Sequence, residues 1–129
     1  ICNAENLRAV SGSLRTCAVK CVPFEAVVDR AEPGDLVYFD PPYHPLSTTS
    51  SFTAYHQDGF GEADQRRLAE VMRALDAKHV SVLLSNSTAP LILELYEGDF
   101  RVERVLATRN VNSRADRRGK IEEVLVRNF

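Results

Sequence analysis

Leu68, Val71, Met72 and Leu75 recur at i, i+3, i+4 and i+7, the spacing that lines one face of a helix. They predict a helix over roughly Glu62 to Lys78. Two other apolar stretches lack this period. Leu36-Val37-Tyr38-Phe39 and Val80 to Leu84 are unbroken runs, as strands buried on both faces would be; the first ends at Asp40 and the second at the polar group Ser85-Asn86-Ser87-Thr88. Near the start, Asn3 suits the cap of a short helix from Glu5 to Leu14. Ala18-Val19 with Val22 suggests a short strand, and Phe24 to Arg30 a brief second helix. Glu32-Pro33-Gly34-Asp35 is turn chemistry. Leu91, Leu95 and Tyr96 mark a short helix closed by Gly98. Phe100 to Thr108 and Ile121 to Asn128 read as β segments flanking a polar insert, hence a terminal antiparallel pair.

Strand, loop, helix, strand, helix and two further strands make an α/β succession. Between the first strand and the long helix, Pro41 to Gly61 has little periodicity and reads as a long functional loop. In open sheets of this class ligands sit beyond the carboxyl ends of strands. Asp40 and Ser85-Asn86 both fall there, so one shared crevice is expected.

With 129 residues, 44% hydrophobic and 26% charged, the chain is sized for one domain or a large piece of one. A net charge of -2 argues against gripping nucleic acid by bulk positive charge and directs attention to local patches. The sequence has neither a long apolar run nor a charged-then-apolar N-terminal segment, which leads to the expectation of a soluble, cytoplasmic protein without a membrane partner. Cys2, Cys17 and Cys21 lack zinc-ligand spacing and are expected to be reduced structural thiols. His44, His56 and His79 have no surrounding pattern of ligands or triad partners, so no metal is assigned. The chain opens on Ile1, and its only methionine, Met72, lies in the helical stripe, which reads as the edge of a cut within a longer protein.

The chemistry concentrates in Asp40-Pro41-Pro42-Tyr43. The exocyclic amine of adenine is planar and weakly nucleophilic because its lone pair is delocalised into the ring. A carboxylate and a neighbouring carbonyl that each accept one of its N–H bonds draw the nitrogen toward a tetrahedral, reactive geometry. Asp40 and the Pro41 carbonyl suit that task, proline removing a competing N–H and fixing φ, and Tyr43 offers a face on which an extruded base can stack. A turn after a buried strand would use the same four residues. Their place at a strand's carboxyl end favours the functional reading.

The segment Gly34-Asp35-Leu36-Val37-Tyr38-Phe39-Asp40-Pro41-Pro42-Tyr43, with Pro45-Leu46-Ser47 and Ser51-Phe52-Thr53-Ala54-Tyr55-His56, closely resembles the Dam-like adenine-specific DNA methyltransferases. Phe60-Gly61 with Gln65 and Leu68, Ser85-Asn86-Ser87, Glu94-Leu95-Tyr96, Arg109 with Asn112-Ser113, and Arg118-Gly119-Lys120 with Glu122-Glu123 extend the likeness over nearly the whole chain. The resemblance implies a Rossmann-like methyltransferase fold, of which this chain is the C-terminal half ending in the antiparallel pair. It also implies S-adenosylmethionine as cofactor and double-stranded DNA with a flipped adenine as substrate. By the same resemblance Asp40, Pro41, Pro42 and Tyr43 are the catalytic tetrapeptide, Asp40 also lies at the methionine end of the cofactor, and Phe24, in Phe24-Glu25, lines the pocket of the cofactor's adenine. Leu46 to Phe60 looks like the family's mobile segment near the flipped base. The family's Phe-x-Gly-x-Gly cofactor loop, the acidic residue after the next strand and the target-recognition domain have no counterpart here, beyond an exit from that domain through Asn6 to Leu14. Residues 1–129 are therefore expected to be a partial catalytic domain, and the DNA sequence recognised is unreadable.

Outside the tetrapeptide, Arg109, Arg114, Arg117, Arg118 and Lys120 stand against one acid, Asp116, giving a local charge near +4 in the polar insert. Arg109, Asn112, Arg117, Arg118 and Lys120, with Tyr55 from the long loop, are the expected DNA contacts; a solvated loop is the alternative. Ser85-Asn86 either orient the Asp40 loop or border the substrate pocket, or else cap and turn the chain before the Leu91 helix, and the capping role is the one the sequence favours. Two other functions compete: methyl transfer to another planar amine, in RNA adenine or protein glutamine, and a non-catalytic DNA-binding remnant. An Asn in place of Asp40 would have pointed to the glutamine enzymes.

Overall fold

The computed structural model describes residues 3–46, 59–108 and 120–129. Helix α1 spans Ala4–Ser13 with the Asn3 side chain accepting from the Asn6 N–H at 3.0 Å, as the sequence predicts, but none of its residues is buried. A 3-10 turn at Leu14–Thr16 follows. The expected strand at Ala18-Val19 is absent: residues 17–23 pair with no strand among those described, and Val19 is 87% exposed. An extended segment needs a partner ladder to become a strand. A second 3-10 turn, Phe24–Val27, occupies the place of the expected brief helix.

Strands β1 (Leu36–Phe39), β2 (Ser81–Ser87), β3 (Arg101–Thr108) and β4 (Lys120–Arg127) form one mixed sheet in the order β1-β2-β4-β3. β1 and β2 are parallel, and β4 runs antiparallel to both β2 and β3. Helix α2 (Glu62–Ala77) connects β1 to β2, and α3 (Pro90–Tyr96) connects β2 to β3. The fold is therefore α/β, and the terminal antiparallel pair is present.

α2 starts where expected, at Gly61, whose N–H donates to the Asp64 carboxylate at 2.7 Å. Glu62 and Asp64 in the first turn complement the helix dipole. Its stripe is buried as the spacing requires, with Leu68, Met72 and Leu75 at 0–1% exposure. Each such burial contributes about 1.5–3 kcal/mol. The stripe packs with Ile92, Leu95 and Tyr96 of α3 on Val82, Leu84, Val124 and Val126 of the central strands. Pro90 opens α3, where a missing N–H is harmless.

Three sequence expectations fail in the sheet and its turns. β1 is not buried on both faces: Leu36 and Tyr38 are 62% and 55% exposed, while Val37 and Phe39 pack on the core. Among the described residues β1 has one neighbour, and both helices lie on the other face. β2 does not stop at Leu84 but runs through Ser85, Asn86 and Ser87, because β4 continues to pair with it as far as Glu123 opposite Ser87. Gly98 does not close α3 in the left-handed region; the helix ends at Tyr96, and the Phe100 N–H donates to the Tyr96 carbonyl at 2.9 Å.

Candidate functional site

Register builds the site. Phe39 pairs with Leu84 in the parallel ladder, so Asp40 falls beside Ser85. The Ser85 hydroxyl donates to Asp40 Oδ1 at 2.9 Å. The Tyr38 hydroxyl lies 2.9 Å from the same Ser85 oxygen. Side chains alternate between faces along a strand, so Tyr38, Ser85, Ser87 and Glu123 share the face opposite the helices, whereas Asn86 points toward them. Tyr43 returns to the first face, and its hydroxyl donates to Glu123 Oε2 at 3.2 Å. Burial pushes the Tyr43 phenol up from its ordinary value, and the nearby Glu123 and Asp40 carboxylates push the same way, against a hydrogen bond with Ser85. Tyr43 therefore stays neutral and able to donate.

The backbone of the same loop is gripped from below. The His44 N–H donates to Asn86 Oδ1 at 3.0 Å, and the His44 carbonyl accepts from Ser87 Oγ at 2.6 Å. Gln65 Nε2 donates to the Pro42 carbonyl at 2.9 Å. Ser85 and Asn86 thus hold the Asp40 loop rather than cap α3, whose N-cap, Ala89, makes no side-chain cap, while Ser87 Oγ does both, donating to the His44 carbonyl and accepting from the Ala89 N–H at 3.3 Å. That reverses the preference drawn from sequence. The two strand ends lie side by side, with Asp40 exposed.

Phe24 sits in the second 3-10 turn, its ring 5.7 Å from that of Phe60 and beneath the Arg67 guanidinium. Glu25 pairs with Arg67 at 3.4 Å. Tyr55, Arg109, Asn112, Arg117 and Arg118 lie outside the described residues. Lys120 begins β4, where its backbone pairs with Thr108. Cys17 and Cys21 are free and exposed, so they do not act as packing residues. Among the described residues no group of three or more His, Cys, Asp or Glu is placed to hold a metal, and no helix is long and apolar enough to cross a membrane.

Gln65 and Glu123 received no role from sequence. Gln65 had a legible signal: it precedes Leu68 by three on the buried stripe, where an amide must find partners. Glu123 had none beyond its place in the family resemblance, because its partner is distant in the chain and becomes a neighbour only through strand pairing.

Residues 1–111 match the family described as D12 class N6 adenine-specific DNA methyltransferase. A type II methyltransferase, M1.LlaDCHI, of Lactococcus lactis subsp. cremoris is 44% identical over all of this chain and 46% of its own length. The type II methyltransferase M.MjaIII of Methanocaldococcus jannaschii is 40% identical over all of this chain and 45% of its own. The DNA adenine methylase of Escherichia coli strain K12 is 37% identical over 81% of this chain and 37% of its own. The chain spans about half the length of the first two relatives.

Proposed function

The chain belongs to the D12 class N6 adenine-specific DNA methyltransferase family, and from that premise we propose that it forms the base-holding half of an enzyme that methylates the N6 amine of a flipped adenine in double-stranded DNA. The observation that carries this is the state of Asp40. Ser85 engages Oδ1, and among the described residues no contact engages Oδ2. An exposed carboxylate oxygen at a strand's carboxyl end, braced through its partner oxygen, is an acceptor waiting for a donor. The N6 amine supplies one N–H to Asp40 and the other to the Pro41 carbonyl, and its nitrogen gains the lone-pair character that attack requires. Tyr43, tethered through its hydroxyl to Glu123, stacks on the extruded base; such stacking contributes about 1–3 kcal/mol.

The reading includes a Rossmann-like arrangement for the whole catalytic domain, of which residues 1–129 are a part. S-adenosylmethionine, when bound, supplies an electrophilic methyl group. This chain's residues would form one side of such a site: Asp40 would hold the methionine end, and the Phe24 ring, half-buried in this structure, would offer an apolar wall for the adenine. Tyr55, Arg109, Asn112, Arg117, Arg118 and Lys120 take the DNA backbone and flanking bases, the positive charge of Arg109, Arg117, Arg118 and Lys120 releasing counterions on binding. RNA adenine or protein glutamine as substrate, and a non-catalytic remnant, are both disfavoured by the family match.

Asp40→Ala in the whole protein tests the reading. Transfer of labelled methyl groups to duplex DNA is expected to fall by about 100-fold or more, the scale of losing a preorganised charge-stabilising contact, with a normal melting curve. Full turnover would overturn it.

A further inference from the structure

Residues 41, 42 and 45 are prolines and carry no N–H. The segment after β1 therefore cannot be held by a continuous backbone ladder, and side chains hold it instead. Gln65 and Asn86 are both completely buried, and a buried amide left unpaired is costly. Their partners fix how each amide stands. Asn86 Oδ1 accepts from two backbone N–H groups, His44 at 3.0 Å and Ser87 at 2.8 Å. Its Nδ2 must then donate, and does so to Gln65 Oε1 at 3.1 Å. Gln65 is thereby turned so that its Nε2 donates to the Pro42 carbonyl at 2.9 Å. Reversing either amide would set donor against donor or acceptor against acceptor.

We propose that Gln65 and Asn86 form an amide relay that positions the Asp40–Tyr43 loop for methyl transfer, an inference that rests on reading this loop as the base-holding site. Neither residue touches the reacting atoms; both are positioning residues. Fixing the Pro42 carbonyl fixes the plane of the Pro42–Tyr43 peptide. That plane sets where the preceding Pro41 carbonyl points and where the Tyr43 ring departs. The His44 N–H, held by the same relay, locks the far side of Tyr43. The relay runs from α2 to β2, so the rigidity of the helix–sheet core is transmitted to a loop that cannot stiffen itself.

Gln65→Glu and Gln65→Met in the whole protein separate positioning from mere stability. A carboxylate at 65 still accepts from Asn86 but confronts the Pro42 carbonyl with a second acceptor. Once protonated it can donate to that carbonyl, and burial raises its pKa toward the working range. Gln65→Glu is therefore expected to lose about tenfold or more in kcat at pH 8, in line with the rate penalty of sub-ångström misplacement. Its kcat relative to wild type should recover as pH falls, and its KM for S-adenosylmethionine should hold. Gln65→Met should show the same loss at every pH, together with faster hydrogen exchange at the His44 amide. A wild-type kcat in folded Gln65→Met, or a Gln65→Glu deficit that does not change with pH, overturns the proposal; if Gln65→Met fails to fold, Gln65→Glu alone decides. Asp40→Ala runs in parallel. Should that variant keep full turnover, the base-holding reading falls, and unchanged His44 exchange in Gln65→Met would overturn the relay separately.

Discussion

A carboxylate has no proton to give, and this orders the hydrogen bonds around Asp40. The Ser85 proton must go to Asp40, so the contact between Tyr38 and Ser85 has Tyr38 as donor. The chain Tyr38 to Ser85 to Asp40 leaves the carboxylate aimed. Ser85→Ala is expected to lower methyl transfer by about tenfold, the scale of one hydrogen bond to a charged group, and wild-type turnover would exclude this brace. Tyr43 titrates on the alkaline side. Its pKa is raised in the fold above the ordinary 10.0, so its contribution to stability is fully present below pH 10 and is lost as pH rises through the raised value. Melting curves should show wild type losing ground to Tyr43→Phe only as pH rises above 10; parallel curves throughout would contradict the burial of this phenol. The sequence makes the tetrapeptide legible because its residue types match the chemistry proposed for it. It hides Glu123, whose meaning depends on a contact with Tyr43, 80 positions away.

At the scale of elements, the helix that carries Gln65 also ends in a way the sequence only half reveals. The helical stripe predicts α2 to within one residue, because periodicity reports burial directly. Its closure is less visible: the Val80 N–H donates to the Leu75 carbonyl at 3.0 Å and the His79 N–H to the Asp76 carbonyl at 2.8 Å, with His79 at φ 58°. This is a left-handed helix end of the kind usually given to glycine. The His79 side chain is exposed, so His79→Gly is expected to gain about 0.5–1 kcal/mol by relieving the left-handed strain, partly offset by the freer unfolded chain. Urea denaturation checks it, and a loss of stability would mean the imidazole makes a stabilising contact. Periodicity fails where both faces matter. Leu36-Val37-Tyr38-Phe39 looks the same whether one face or two are covered, and Ser85-Asn86-Ser87 looks like a strand's end although β4 keeps it in the ladder. Polar residues inside a strand are the signature of a site, and a rule that ends strands at polar residues discards it.

For the molecule as a whole, the sheet order was not legible, since a terminal hairpin can join either edge of a parallel pair and only packing chooses. What the order leaves is a sheet with helices on one face and Leu36 and Tyr38 on the other. Nearby in sequence, α1 carries Leu7 and Val10 at 57% and 47% exposure, with Leu14 at 52% and Val22 at 48% beyond it. Apolar side chains on this scale favour association, at about 25 cal/mol for each Å² removed from water. β1, with one paired edge among the described residues, adds a row of unsatisfied backbone groups that can template further strands. The net charge of -2 offers little electrostatic repulsion to oppose this. The 129-residue chain produced alone is therefore expected to self-associate, with sedimentation coefficients that rise with concentration, and to bind S-adenosylmethionine weakly, because on the proposed reading Asp40 and Phe24 supply one side of that site. Leu36→Lys should shift sedimentation toward the monomer without changing the helical content, since it charges the open face and leaves the α2 core intact. Sedimentation velocity and calorimetric titration read the two parts independently. A monomer at all concentrations would mean that the exposed side chains are covered within the chain, and tight one-to-one cofactor binding by that monomer would make residues 1–129 sufficient for the cofactor site.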